Sequence, residues 1–167
     1  MIREFLQKRR LRKTFSKYVD SATVDALLSG SATLDLGLKE MPMEFVCVAV
    51  RGDTPETISE RMGAVCERSF HQSSRVDAMF SGIVLVIYDL RLPDASRASS
   101  AFRKAVLEEF SENVKLVHGS GVAHVGNLGA FSSRFAYSFI LPGFLEALGA
   151  LASLPFGNSR EWLPPKI

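Results

Sequence analysis

Two apolar runs, Val76 to Phe80 and Ile83 to Tyr88, are separated only by Ser81-Gly82. That spacing constrains the fold more than any other feature. A two-residue connection containing glycine joins antiparallel neighbours and leaves no room for a crossover. Phe45 to Val50 is a third run, nearly all apolar and rich in valine, the pattern of a strand buried on both faces. Thr54 and Pro55 then open a helix, with proline at the first helical position, where its missing N–H costs nothing. Ile58, Met62, Val65 and Cys66 share one face of it. Pro93 and Asp94 open the next helix, which carries Phe102, Val106 and Phe110 on its buried side. Val114 to Val125 reads as a strand, Gly126-Asn127-Leu128-Gly129 as a turn, and Phe135 to Leu141 as the antiparallel partner. Pro142 to Leu154 reads as the last helix. Helices interleaved with antiparallel hairpins predict an α+β domain, most simply a ferredoxin-like antiparallel sheet with helices packed on one face.

Ahead of this domain, Arg3, Lys8, Arg9, Arg10, Arg12 and Lys13 crowd the first thirteen residues against a single acid, Glu4. Leu11, Phe15, Tyr18 and Val19 recur at three- and four-residue steps among them, which predicts an amphipathic helix. A second short helix carries Val24, Leu27 and Leu28 and stops at Gly30. The expected organisation is an N-terminal helical segment over 1–30 (a linker or dimer element), a folded domain over 40–157, and a loop-like tail over 158–167. With 167 residues, 47% hydrophobic, there is material for one real core. The net charge of +2 is too small to make the chain a polyanion binder, and no aromatic-rich basic face points to nucleic acid. Cys47 and Cys66 are too few for a disulfide framework, so a reducing, cytoplasmic setting fits. No apolar run reaches the ~18 residues of a spanning helix, and the basic cluster falls where a signal peptide would be apolar. That cluster is either a solvated helix face or a juxtamembrane segment of a membrane-anchored parent.

Three segments in collinear order resemble the class III adenylyl and guanylyl cyclases, over about residues 10 to 153. Leu11-Arg12-Lys13-Thr14-Phe15-Ser16-Lys17-Tyr18-Val19, with Val24, Leu27 and Leu28, is similar to the stretch leading into many bacterial cyclase domains. Val76-Asp77-Ala78-Met79-Phe80-Ser81-Gly82 resembles a worn V-D-K-F-I-G-D. Gly121 to Gly129, followed by Arg134, Tyr137, Ser138 and Ile140, is similar to G-x-V-x-V-G-N-I-G…R-x-D-Y-T-V-I-G-D and is the most specific of the three. The resemblance implies a catalytic site formed between two such domains, hence a homodimer or pairing with another cyclase-like domain. Phe15, Tyr18 and Val19 are candidate dimer or linker positions.

The resemblance also implies two aspartates holding two magnesium or manganese ions, which activate the 3′-hydroxyl and stabilise the leaving pyrophosphate. Those positions are Ala49 and Gly82 here, and neither side chain offers the oxygen that a hard cation requires. The base-reading lysine is replaced by Ala78, and its partner after the last strand by Pro142. The transition-state asparagine falls at Leu145 and the phosphate-neutralising arginine at Gly149. No single slip of alignment restores the set, although Asp53 or Asp77 as ligands and Glu146 or Arg134 as substitutes are the alternatives. Leu145 and Pro142 are also consistent with a former cleft filled by packing. The expectation is an inactive cyclase homology domain, without bound cofactor or metal, serving as a dimerising or regulatory module. The alternatives are an active or hetero-paired cyclase and a sensor that retains the cleft for a nucleotide or other small ligand.

His118 and His124 share one strand face, but with no third ligand in view ordinary strand histidines are the better reading. Arg51-Gly52-Asp53 is the turn after a strand. Gly119, Gly121, Gly126 and Gly129 mark tight turns and close strand packing, since no helix N-terminus follows them to make a phosphate cradle.

Overall fold

The computed structural model describes residues 39–130 and 134–163. The segment predicted to form the N-terminal helices, with Phe15, Tyr18 and Val19, lies outside the described residues. The elements run β1 (Lys39–Val50), α1 (Pro55–Arg68), β2 (Ser74–Phe80), β3 (Ile83–Asp89), α2 (Ala95–Phe110), β4 (Val114–Ala130), β5 (Arg134–Ile140), α3 (Phe144–Ser153) and β6 (Ser159–Glu161). A short 3-10 turn, Ser111–Asn113, joins α2 to β4.

The sheet is ordered β2-β3-β1-β4-β5, with β6 also paired to β4. β1 is central and pairs antiparallel with β3 (Cys47 opposite Leu85) and with β4 (Cys47 opposite Val117). The first four strands therefore make two split β-α-β units, the ferredoxin-like arrangement. Ser81 and Gly82 both take positive φ, 47° and 78°. That is the primed hairpin turn whose twist suits antiparallel strands, and it explains why two residues suffice between β2 and β3. β2 forms one edge, and a register shift between Val76 and Ala78 leaves Asp77 in a bulge, ion-paired to Arg75 at 3.1 Å. A bulge and charges on an edge discourage pairing with another chain.

Because side chains alternate along a strand, β1 divides the core in two. Val46, Val48 and Val50 pack with Val65 of α1 and with Phe102 and Val106 of α2. Thr54 caps α1 by accepting from the Thr57 N–H, with Pro55 just inside, as the sequence predicts. The other side of β1, Met43, Phe45 and Cys47, packs with Ala147 and Leu151 of α3. The single helical layer expected from the sequence thus describes α1 and α2, whereas α3 covers the opposite face. The second apolar row of β1 demands that cover. On this side Phe144 meets Phe45 and Phe139 edge-on, each with ring centroids 5.2 Å apart.

Two further expectations change. Gly126 to Gly129 is not a turn: β4 runs on to Ala130, and its glycines are opposed by β5, Gly126 to Ser138 and Gly129 to Phe135. The expected tail contains β6, which pairs parallel with β4 (Val117 opposite Arg160). The buried Trp162 follows it, with its ring 5.7 Å from that of Phe45. The glycines of β4 make room for this packing. A Cβ at Gly119 would lie 2.7 Å from the Trp162 carbonyl oxygen and 3.1 Å from the Phe45 ring.

Two glycine substitutions should therefore act in opposite directions. Gly119→Ala is expected to destabilise the fold by about 1–3 kcal/mol through overpacking. Gly149→Ala, where an added Cβ meets nothing within 4 Å on α3, is expected to stabilise it by about 0.5–1 kcal/mol. Urea denaturation followed by circular dichroism measures both.

Candidate functional site

The end of β1 and the β2–β3 turn come together. Ala49 lies opposite Ile83 on one side and Lys115 on the other. The next N–H, of Val50, donates to the Gly82 carbonyl at 2.7 Å. Positions 49 and 82 are thus neighbours across the β1–β3 ladder, and the side chain of Ala49 joins the α3-side core at 9% exposure. Ala78, opposite Leu85 on β2, is half-buried against the same core.

The charges at this end are cationic. Lys115 donates from Nζ to the Ala152 carbonyl at 2.9 Å, at the C-terminus of α3, where a positive charge complements the helix dipole. Its ammonium also lies 5.0 Å from the centre of the Phe156 ring, and the Arg51 guanidinium carbon 4.8 Å from it. Cation–π contacts of this kind hold both positive side chains beside the strand end. A divalent cation at Ala49 would meet a lysine on the adjoining strand and no carboxylate. Gly82 adds a second obstacle. Its φ of 78° is unfavourable for side chains, and a Cβ there would sit 2.9 Å from the Val50 oxygen. The residues present do not fit a two-metal site.

The alternative ligands do not repair it. Asp53 is exposed in the turn after β1, and Asp77 is engaged with Arg75. Asp77 is also three residues, about 10 Å, along β2 from Phe80 at the strand end. Among the described residues no group of three or more His, Cys, Asp or Glu is placed to hold a metal. His118 and His124 are six residues apart on β4, about 20 Å, and form no pair. The Cys47 thiol is pushed up to about 12 by burial and is no nucleophile or ligand at neutral pH.

The remaining family positions lie elsewhere. Pro142 is exposed, Leu145 is 79% exposed, and Gly149 is exposed on the same side of α3. The idea that Leu145 and Pro142 fill an old cleft is therefore wrong within this chain: both face outward, while Ala147 and Leu151 face the core. Positions 49, 78 and 82 sit on the sheet, and positions 142, 145 and 149 look away from it.

The geometry has counterparts among solved structures. The guanylyl cyclase Cya2 superimposes with a TM-score of 0.59 at 15% identity, over 75% of this chain and 76% of that one. A bacterial light-regulated adenylyl cyclase gives 0.64 at 14% identity, over 94% of this chain. The fold is that of the class III nucleotidyl cyclases. The adenylyl cyclase CyaB from P. aeruginosa shares this cyclase fold, with a TM-score of 0.58 at 13% identity, over 75% of this chain and 79% of that one. The chain spans only 54% of the light-regulated enzyme's length. No family profile matches the sequence, and no curated protein sequence matches it significantly.

Sequence reasoning missed one charged cluster inside this cyclase fold. Glu44 is buried on the α2 side of β1, where its Oε1 accepts from Ser99 Oγ at 2.7 Å and lies 3.5 Å from Arg103 Nη2. Arg103 Nη1 in turn lies 2.6 Å from Nε2 and 2.8 Å from Nδ1 of His118. The Tyr88 hydroxyl and Arg103 Nε, both buried, have no hydrogen-bond partner among the described residues. A lone acid beside the apolar run Phe45 to Val50 was the signal available in the sequence.

Restoring both aspartates should fail to rebuild a metal site. Ala49→Asp with Gly82→Asp is expected to destabilise the fold, about 1–3 kcal/mol of it from the strained backbone at 82. Millimolar Mn²⁺ should produce no rise in Tm in a thermal-shift titration of this variant.

Proposed function

We propose that this chain is a catalytically inactive nucleotidyl cyclase homology domain that acts in signalling as a dimerising, regulatory module. The observation that carries the reading is the pair Ala49 and Gly82 at adjoining sheet positions, with Lys115 beside them and no carboxylate replacing either aspartate. Ring closure by a two-metal mechanism places charge on the attacking and departing oxygens, and cations must balance it. Removing a single electrostatic stabiliser costs ~3 kcal/mol of transition-state energy in well-studied enzymes. Here both metal ligands and the asparagine and arginine positions are lost, so no useful rate remains.

Pairing with a second copy, or with another cyclase-like domain, is supported by the outward side of α3. Leu145 is a large apolar residue at 79% exposure, flanked by Pro142 and, one helical turn on, by Gly149. The family resemblance implies a site formed between two such domains. No helix among the described residues is long and apolar enough to cross a membrane. The basic segment between Arg3 and Lys13 fits a cytoplasmic position next to a membrane-anchored parent.

Purified full chain incubated with ATP or GTP and either Mg²⁺ or Mn²⁺ is expected to yield no cAMP or cGMP by mass spectrometry. Turnover abolished by a substitution at Lys115 or Arg51 would overturn the inactive reading. Leu145→Glu is expected to weaken self-association at least ~10-fold, about 1.4 kcal/mol, in sedimentation equilibrium. An unchanged dimer constant would remove α3 from the interface.

A further inference from the structure

The cluster of Glu44, Ser99, Arg103 and His118 lies on the α2 side of the sheet, away from the α3-side strand end. His118 stands between two oppositely charged neighbours. On one side is the Arg103 guanidinium of α2, within 2.8 Å of both ring nitrogens. On the other is Glu161, which faces His118 across the β4–β6 pairing. Among the described residues the cluster also holds Glu44 from β1, which pairs with Arg103, and Tyr88 from β3, whose burial keeps it neutral. A neutral imidazole has one lone-pair nitrogen that accepts from Arg103. An imidazolium has none, and it repels the guanidinium at that separation.

We propose that His118 is an acid-operated two-position switch, bonded to Arg103 on α2 when neutral and swung to Glu161 on β6 when protonated. In the first position His118 fastens α2 to β4. In the second that fastening is released, Arg103 is left to Glu44 alone, and the new ion pair draws β6 toward β4. The backbone makes β6 a responsive element. It is three residues long, and the His118 carbonyl accepts the Trp162 N–H at 2.7 Å. Movement at His118 therefore reaches the indole through the main chain.

The direction of the pH effect follows from the surroundings. Burial, and then the Arg103 charge, hold His118 below its ordinary value, while Glu161 opposes them. A depressed folded value means the Arg103-bound arrangement is fully stabilising above the ordinary histidine value of ~6.5. Its contribution is lost as pH falls through the folded value below that.

The chain has a single tryptophan, so Trp162 emission reports this corner alone. In the full chain, emission is expected to change in one step with a midpoint below ~6.5. His118→Gln keeps an acceptor for Arg103 without a titrating proton and should abolish the step. Glu161→Gln removes the acid-state partner and should move the midpoint lower. A step that survives in His118→Gln, or a midpoint unmoved by Glu161→Gln, overturns the switch. Should the glutamine variant at 118 fail to fold, ring resonances of His118 in the wild type and in Glu161→Gln decide by NMR. Titration at or above the ordinary histidine value in the wild type would overturn the proposal.

Discussion

Everything in this domain is arranged around β1, a strand that has neighbours on both edges and apolar cover on both faces. Its ladders with β3 and β4 satisfy the backbone groups that burial would otherwise leave without partners. Its two rows of side chains then require separate cover: valines 46, 48 and 50 take α1 and α2, and Met43, Phe45 and Cys47 take α3 and Trp162. A fully buried valine or phenylalanine contributes about 1.5–3 kcal/mol, so neither row tolerates exposure. The same strand delivers position 49 to the end of the sheet, next to the β2–β3 turn. The core therefore holds position 49 and the β2–β3 turn together, whatever side chains stand there.

That separation lets the side chains at positions 49 and 82 vary without loss of fold. The Ala49 methyl joins the α3-side core, and Gly82 takes the left-handed conformation that its turn requires. Lys115 and Arg51 are held instead by Phe156 and by the end of α3.

Elements encoded by neighbouring residues were legible in the sequence. The Ser81-Gly82 hairpin, the Thr54-Pro55 helix start and the apolar run Phe45 to Val50 of β1 each declare themselves within ten residues, and the structure holds all three. What was not legible depends on partners distant in the chain. Gly126 to Gly129 has the composition of a turn, and only its pairing with β5 shows that the strand continues. Helical spacing shows that α3 has an apolar side but not which face of the sheet it covers. Lys115 acquires meaning only from its register with Ala49, and Trp162 only from the space that Gly119 leaves. Ala49 and Gly82 were placed by resemblance, and the ladder brings them side by side. The resemblance gave no hint that Pro142 and Leu145 would face outward.

β4 is the longest strand, 17 residues, or about 56 Å at the rise of an extended chain. From Val114 to Val125 it is clamped to β1, and from Gly126 to Ala130 its register partners are in β5. The portion of β4 held in the sheet by β1 bears both His118 and Lys115. A displacement of that strand is therefore shared between the α2-side charged cluster and the corner of the sheet beside Ala49 and Gly82.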